Sequence, residues 1–221
     1  MMKTIFFDGA GTLFHLTKRV GEHYAIVARK MGADLCPDAL DRAFVRAWRD
    51  APIRAASDRP RDGDDKNWWR DLVSAVLAAT PDVPPHFDRD AFFEAAYAHF
   101  TEPGVWALYS DVPQSLATLA PKFQLAVVSN FDRRLHTILE QLQIAPFFER
   151  VFISSELGAD KPDPEIYRRA LQRIGVEAAD AMHVGDDPER DWEGAARAGL
   201  RVFKLDRPRN SLADLVDLVR R

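Results

Sequence analysis

The sequence predicts an α/β fold, a parallel sheet covered by helices on both faces and interrupted after its first strand by a helical insertion. Three observations carry this. Five short apolar runs rich in β-branched or aromatic residues recur along the chain, at 4–7, 125–129, 151–154, 182–185 and 202–205. Segments with helical spacing separate the later ones. Between Phe14 and about Val105 the apolar residues follow helical periodicity, with no convincing strand.

The first run is Thr4-Ile5-Phe6-Phe7, which stops at Asp8. The insertion then shows apolar residues three and four apart: Tyr24, Ile26, Val27 and Met31; Leu40, Phe44, Val45 and Trp48; Trp68, Trp69, Leu72, Val76 and Leu77; Phe92, Phe93, Ala96 and Phe100. Pro37, residues 59–63 and Pro84-Pro85 read as loops between these helices. The aromatic residues read as the core of this module rather than as a cofactor box. The chain returns to the sheet near Pro103-Gly104. Beyond it, 133–143, 164–174 and 192–198 read as helices between strands, with Asp132 capping the first. The organisation expected is a core of residues 1–14 and 105–221 and a helical module of residues 15–104.

A chain of 221 residues with 47% hydrophobic and 29% charged residues suits a globular protein that buries its core without staples. A formal net charge of −4 gives no electrostatic case for nucleic acid or for an acidic membrane as partner. The single cysteine, Cys36, forms no internal disulfide and reads as a small buried apolar residue. Asp8 breaks the first apolar run, so that run is no secretory signal, and no apolar stretch is long enough to span a bilayer. The expected location is cytoplasmic.

Ligands of open parallel sheets sit beyond the carboxyl ends of the strands, and four polar groups fall there. Asp8 follows the first strand, with Gly9, Gly11 and Thr12 behind it; by itself it fits a nucleophile, a metal ligand or a cap. Ser129-Asn130 ends the second, offering a hydroxyl and the amides of a helix start to an anion; a plain polar turn would look the same. Lys161 stands in Asp160-Lys161-Pro162-Asp163-Pro164, where an isolated lysine is more often a solvated charge. Asp186, Asp187, Glu189 and Asp191 crowd the turn after the fourth strand, a repulsive set unless a cation or solvent screens it, and one that suits Mg²⁺. Each feature has a bland alternative. Together they supply what phosphoryl transfer needs: a nucleophile, an anion cradle, charge neutralisation and a metal.

Asp8-Gly9-Ala10-Gly11-Thr12-Leu13, Ser129-Asn130, Lys161-Pro162-Asp163-Pro164 and Gly185-Asp186 through Asp191 resemble, in order and spacing, the four motifs of the haloacid dehalogenase superfamily. The insertion resembles that family's helical cap. The resemblance implies a Rossmann-like parallel sheet in the order 5-4-1-2-3, counted along the five strands above. It implies Asp8 as nucleophile, forming an aspartyl-phosphate that water hydrolyses, and Lys161 as the cation bridging nucleophile and phosphate. Ser129, the Asn130 amide and Thr12 would bind phosphate. Asp8, the backbone carbonyl of Ala10 and Asp186 would hold Mg²⁺, supported by Asp187 and Asp191. The substrate implied is a small phosphorylated molecule.

One position departs from this pattern. The family's phosphatases carry a second aspartate two residues after the nucleophile, and here that residue is Ala10. A methyl group neither protonates a leaving group nor activates water, help worth about 10²–10⁴-fold. Three other readings therefore stand beside the phosphohydrolase: a phosphonatase-like hydrolase using Lys18, Lys30 or Lys66; a dehalogenase, which needs no metal and leaves the acidic cluster unexplained; and a non-catalytic binding protein. The six histidines show no paired metal spacing. His183 reads as packed within its strand, and His15 as a residue that faces the cleft.

Overall fold

A computed structural model describes residues 2–52, 54–207 and 209–220. The chain forms two compact units. The sheet unit comprises Met1–His15, Arg54–Asp64 and Trp106–Arg221, and the helical unit comprises Leu16–Ile53 and Asp65–Val105.

Five parallel strands make the sheet: β1 (Thr4–Phe7), β4 (Gln124–Ser129), β5 (Arg150–Ile153), β6 (Ala181–Gly185) and β7 (Arg201–Lys204), in the order β5-β4-β1-β6-β7. This is the expected order, read from the other edge. β1 is buried at every residue, as its unbroken apolar run requires of a central strand. Phe7 lies opposite both Val127 on β4 and Val184 on β6. Alternate side chains supply two cores. Ile5, Phe7, Val127 and Val184 pack with α5 (Val112–Leu119), α6 (Arg134–Gln141) and α10 (Leu212–Val219), while Phe6, Ala126 and Val128 pack with α8 (Pro164–Ile174). Fully burying each β1 phenylalanine stabilises the fold by roughly 1.5–3 kcal/mol.

Two short strands escaped the sequence pattern. β2 (Phe14–Leu16) and β3 (Trp106–Leu108) pair as a two-stranded sheet. Three residues are too few to show a period of two. The helix expected at 192–198 begins instead as a wide π-type turn, Pro188–Glu193, where the Trp192 N–H reaches the Asp187 carbonyl at 3.2 Å. A short helix, α9 (Gly194–Arg197), follows. α7 (Ser154–Leu157) joins β5 to the lysine loop.

The helical unit contains α1 (Val20–Lys30), α2 (Pro37–Asp50), α3 (Lys66–Ala79) and α4 (Arg89–His99). Tyr24, Val27, Leu40, Leu72, Val76, Leu77, Phe92 and Phe93 form a core of its own. Pro37, expected in a loop, is instead the first residue of α2, where its missing N–H costs nothing. Cys36, expected to be buried, is exposed, because the apolar face of this stretch is met by Leu35 and Leu40 on either side of it.

Residues 54–64, within the segment read as the helical module, group with the sheet unit. Their hydrogen bonds give the reason. The Ser57 and Arg61 amides donate to the Gly158 and Ser155 carbonyls, each at 2.7 Å. The Asp64 carboxylate accepts from the Arg133 amide (2.8 Å) and the Ser155 hydroxyl (2.6 Å). Arg54 and Arg61 both donate to Asp160 Oδ1 at 2.8 Å.

Candidate active site

The centre of the sheet unit is a buried charge cluster built on four loops. Asp8 continues β1, its amide donating to the Val184 carbonyl at 2.9 Å, so the sheet itself fixes its backbone. Ser129 ends β4 beside it and donates to Asp8 Oδ1 at 3.0 Å. Lys161, 4% exposed, donates to Asp8 Oδ1 at 2.5 Å and to Asp191 Oδ1 at 2.6 Å. A buried ammonium is tolerable only when paired in this way. Both donors to Asp8 take Oδ1, and Oδ2 accepts from neither.

Asn130 holds the lysine loop. Its side-chain nitrogen donates to the Lys161 carbonyl (2.8 Å) and its side-chain oxygen accepts from the Lys161 amide (2.7 Å). Thr12, fully buried, donates to Asp186 Oδ1 at 2.9 Å and so orients that carboxylate. Gly11 makes room for it: the residue has φ +93°, and a Cβ there would lie 2.4 Å from Asp186 Oδ2.

Asp191 is held from three sides. The Lys161 ammonium and the His183 ring both reach Oδ1, and the Asp187 amide donates to Oδ2 at 3.0 Å. Gly185 permits the approach, since a Cβ there would lie 2.3 Å from Asp191 Cγ. The Asp187 side chain turns the other way and caps the π-type turn, accepting from the Glu189 and Arg190 amides. It therefore supports Asp191 through its backbone. Ala10 is exposed, and its place next to Phe14 is set by an isolated β-bridge. His15 lies against Tyr109, ring centroids 4.8 Å apart, and Arg207 stacks on that tyrosine while donating to the Thr12 carbonyl.

Burial pushes the Asp8 carboxyl up to about 6. Lys161 opposes the rise, and the neighbouring Asp191 and Asp186 charges add to it. Burial raises Asp186 as well. Asp191 behaves oppositely: burial would raise it, but Lys161 and the His183 hydrogen bond outweigh burial and hold it well below the usual carboxylate range. Burial alone would lower Lys161, yet Asp191 and Asp8 raise it above the ordinary lysine range, so it stays charged.

Of the residues picked from sequence, Asp8, Ser129, Lys161, Asp186 and Asp191 make up this cluster, Thr12, Asn130 and Asp187 hydrogen-bond to it, and Ala10 stands two residues beyond Asp8. Sequence reasoning missed His183, whose ring is hidden in the apolar pattern of β6. It also missed the clamp that the Asn130 side chain places on Lys161. Asp8, Asp186 and Asp191 each offer an oxygen, all within 4.8 Å of one another. Three carboxylates, of which Asp8 and Asp191 are buried, and one ammonium leave two negative charges, a hard-oxygen set that matches a divalent cation such as Mg²⁺.

The haloacid dehalogenase-like hydrolase family matches residues 2–199. Haloacid dehalogenase-like hydrolase domain-containing protein 3 of Mus musculus is 35% identical over 209 residues, covering 91% of this chain and 81% of that protein. Glyceraldehyde 3-phosphate phosphatase of Methanopyrus kandleri is 31% identical over 210 residues, 94% of this chain and 85% of that protein. In structure, the chain is similar to the HAD-hydrolase YfnB of Bacillus subtilis, solved bound to magnesium, with a TM-score of 0.77 at 18% identity, covering 100% of this chain and 99% of that one. With a family match across most of its length and a parallel sheet whose strand ends gather the motif residues, this chain belongs to the haloacid dehalogenase-like hydrolases.

Proposed function

We propose that the protein is a Mg²⁺-dependent phosphohydrolase that acts on a small phosphorylated molecule through an aspartyl-phosphate on Asp8. The arrangement of Asp8 carries this reading: two donors fix Oδ1, and Oδ2 takes neither of them. A carboxylate so oriented attacks with the second oxygen. Its lone pair forms the new O–P bond, and the bond from phosphorus to the leaving oxygen breaks. Lys161 stays charged and offsets the negative charge gathered around Asp8. The leaving oxygen takes its proton from solvent, because Ala10 has none to give. Water then attacks phosphorus, loses a proton to solvent, and releases inorganic phosphate and the free Asp8 carboxylate.

Asp8, Asp186 and the Ala10 carbonyl would hold Mg²⁺, with Asp191 behind them. When bound, the cation supplies positive charge beside the transferring phosphoryl group. The Thr12 hydroxyl, which donates to Asp186 Oδ1, would hold that carboxylate for the cation. The phosphatase relative supports the choice of substrate class. The test is phosphate release from a panel of phosphorylated metabolites and p-nitrophenyl phosphate with Mg²⁺. Asp8→Asn should abolish turnover, a loss of at least 10³-fold on the order expected for a removed nucleophile. Retention of activity in Asp8→Asn would sink the covalent route.

A further inference from the structure

His183 sits in the middle of β6, fully buried, in a strand whose other residues are Ala181, Met182, Val184 and Gly185. A polar ring in such a place needs a reason. Its Nε2 lies 2.9 Å from Asp191 Oδ1. That same oxygen receives the Lys161 ammonium at 2.6 Å, and the ammonium reaches on to Asp8 at 2.5 Å. That oxygen already accepts from the ammonium, so Nε2 is the end of this contact that carries the proton and donates it. His183 Nδ1 is buried with no partner among the described residues. The ring is wedged edge-on against Tyr167, centroids 4.9 Å apart, and the Tyr167 hydroxyl is tied to the Arg190 carbonyl at 3.0 Å.

We propose that His183 is a positioning residue: its Nε2–H fixes the rotamer of Asp191, and Asp191 in turn sets where the Lys161 ammonium stands beside Asp8. The inference deepens the phosphohydrolase reading and rests on it for its kinetic consequence. Removing this donor leaves Asp191 Oδ1 with the lysine alone. The carboxylate is then held on that side by a flexible ammonium instead of a ring locked in a strand, and the lysine loses its fixed distance from Asp8. Partners that orient active-site groups from behind are worth about 10- to 100-fold in activity.

The side-chain nitrogen of glutamine can occupy the place of Nε2, whereas that of asparagine falls short and that of leucine is absent. His183→Gln should therefore keep kcat for p-nitrophenyl phosphate within a few fold. His183→Asn and His183→Leu should lose about 10- to 100-fold in kcat with little change in KM. Equal kcat across the three variants, or a loss that follows their melting temperatures, overturns the proposal. The tautomer is checked without turnover, by ¹⁵N–¹H NMR of the unmodified protein at neutral pH. A neutral ring protonated at Nε2 supports the assignment and protonation at Nδ1 overturns it. Hydrolysis lost in Asp8→Asn but unaltered in every His183 variant defeats the positioning role alone. An unmodified protein without phosphatase activity defeats the phosphohydrolase reading and the kinetic role together, while the NMR result still decides the hydrogen bond.

Discussion

A methyl group at position 10 can neither give nor take a proton, so the leaving group decides how well this site works. Alkyl esters depart as strong bases and need an acid, whereas aryl and acyl phosphates do not. The unmodified protein should hydrolyse p-nitrophenyl or acyl phosphates faster than alkyl phosphates. Ala10→Asp should raise kcat for alkyl esters by about tenfold or more, with a smaller gain for aryl esters. Equal rates for both classes in both proteins would show that protonation is not limiting. The metal set gives a second outcome. Asp186→Asn removes a charged oxygen and should weaken Mg²⁺ strongly in calorimetric titration. Asp8 is pushed up to about 6, so its protonated form grows as pH falls through that value and competes with the cation. Mg²⁺ affinity of the unmodified protein should drop between about pH 7 and pH 5, with proton release on binding, and a flat profile would contradict this. Asp8, Ser129, Lys161 and Asp186 were legible in sequence because each follows an apolar strand. His183 was not, since a single polar residue inside such a strand looks like packing until its partner, eight residues on, is seen to face it.

Among the elements, α1 and α4 bring His23 and His99 together in the helical unit, Nδ1 to Nε2 at 3.0 Å, with the other nitrogen of His99 on Glu102 at 2.7 Å. Burial, helped by the neighbouring His99 and Lys18 charges and opposed by Glu22, lowers His23 to about 4. A histidine depressed in this way favours the folded state when neutral. Its contribution is present above the ordinary value of 6.5 and is lost as pH falls from there to about 4, because the unfolded chain binds the extra proton first. Urea unfolding should show stability declining over that window, and His23→Phe should flatten the decline. An unchanged slope would place the titration elsewhere. These helices were legible from their three-and-four spacing. The π-type turn at Pro188–Glu193 was not, because a ladder widened by one residue leaves no mark on apolar periodicity. β2 and β3 were lost to their shortness.

On the scale of the whole molecule, the apolar runs marked the strands, but their order was legible only through the resemblance of the four motifs to the family, which implied it. The grouping of residues 54–64 was not, because those bonds join polar residues and backbone nearly a hundred positions apart, such as the Arg61 amide and Ser155 carbonyl. The placement of β1 between β4 and β6 has a consequence in time. Thr4 pairs with Gln124 on one side and Ala181 on the other. At roughly 5–20 residues per second of synthesis, the first strand waits on the order of ten seconds or more for its second neighbour. The helical unit, drawn from residues 16–105 and holding its own core, is complete well before. A chain stopped after residue 180 should therefore resist trypsin in the helical segments while being cut around 54–64 and in the unfinished sheet. Uniform sensitivity, or uniform protection, would contradict that order. During synthesis the apolar Ile5-Phe6-Phe7 run is thus made long before β6 can cover its second edge, which makes it a segment in need of a chaperone's shelter.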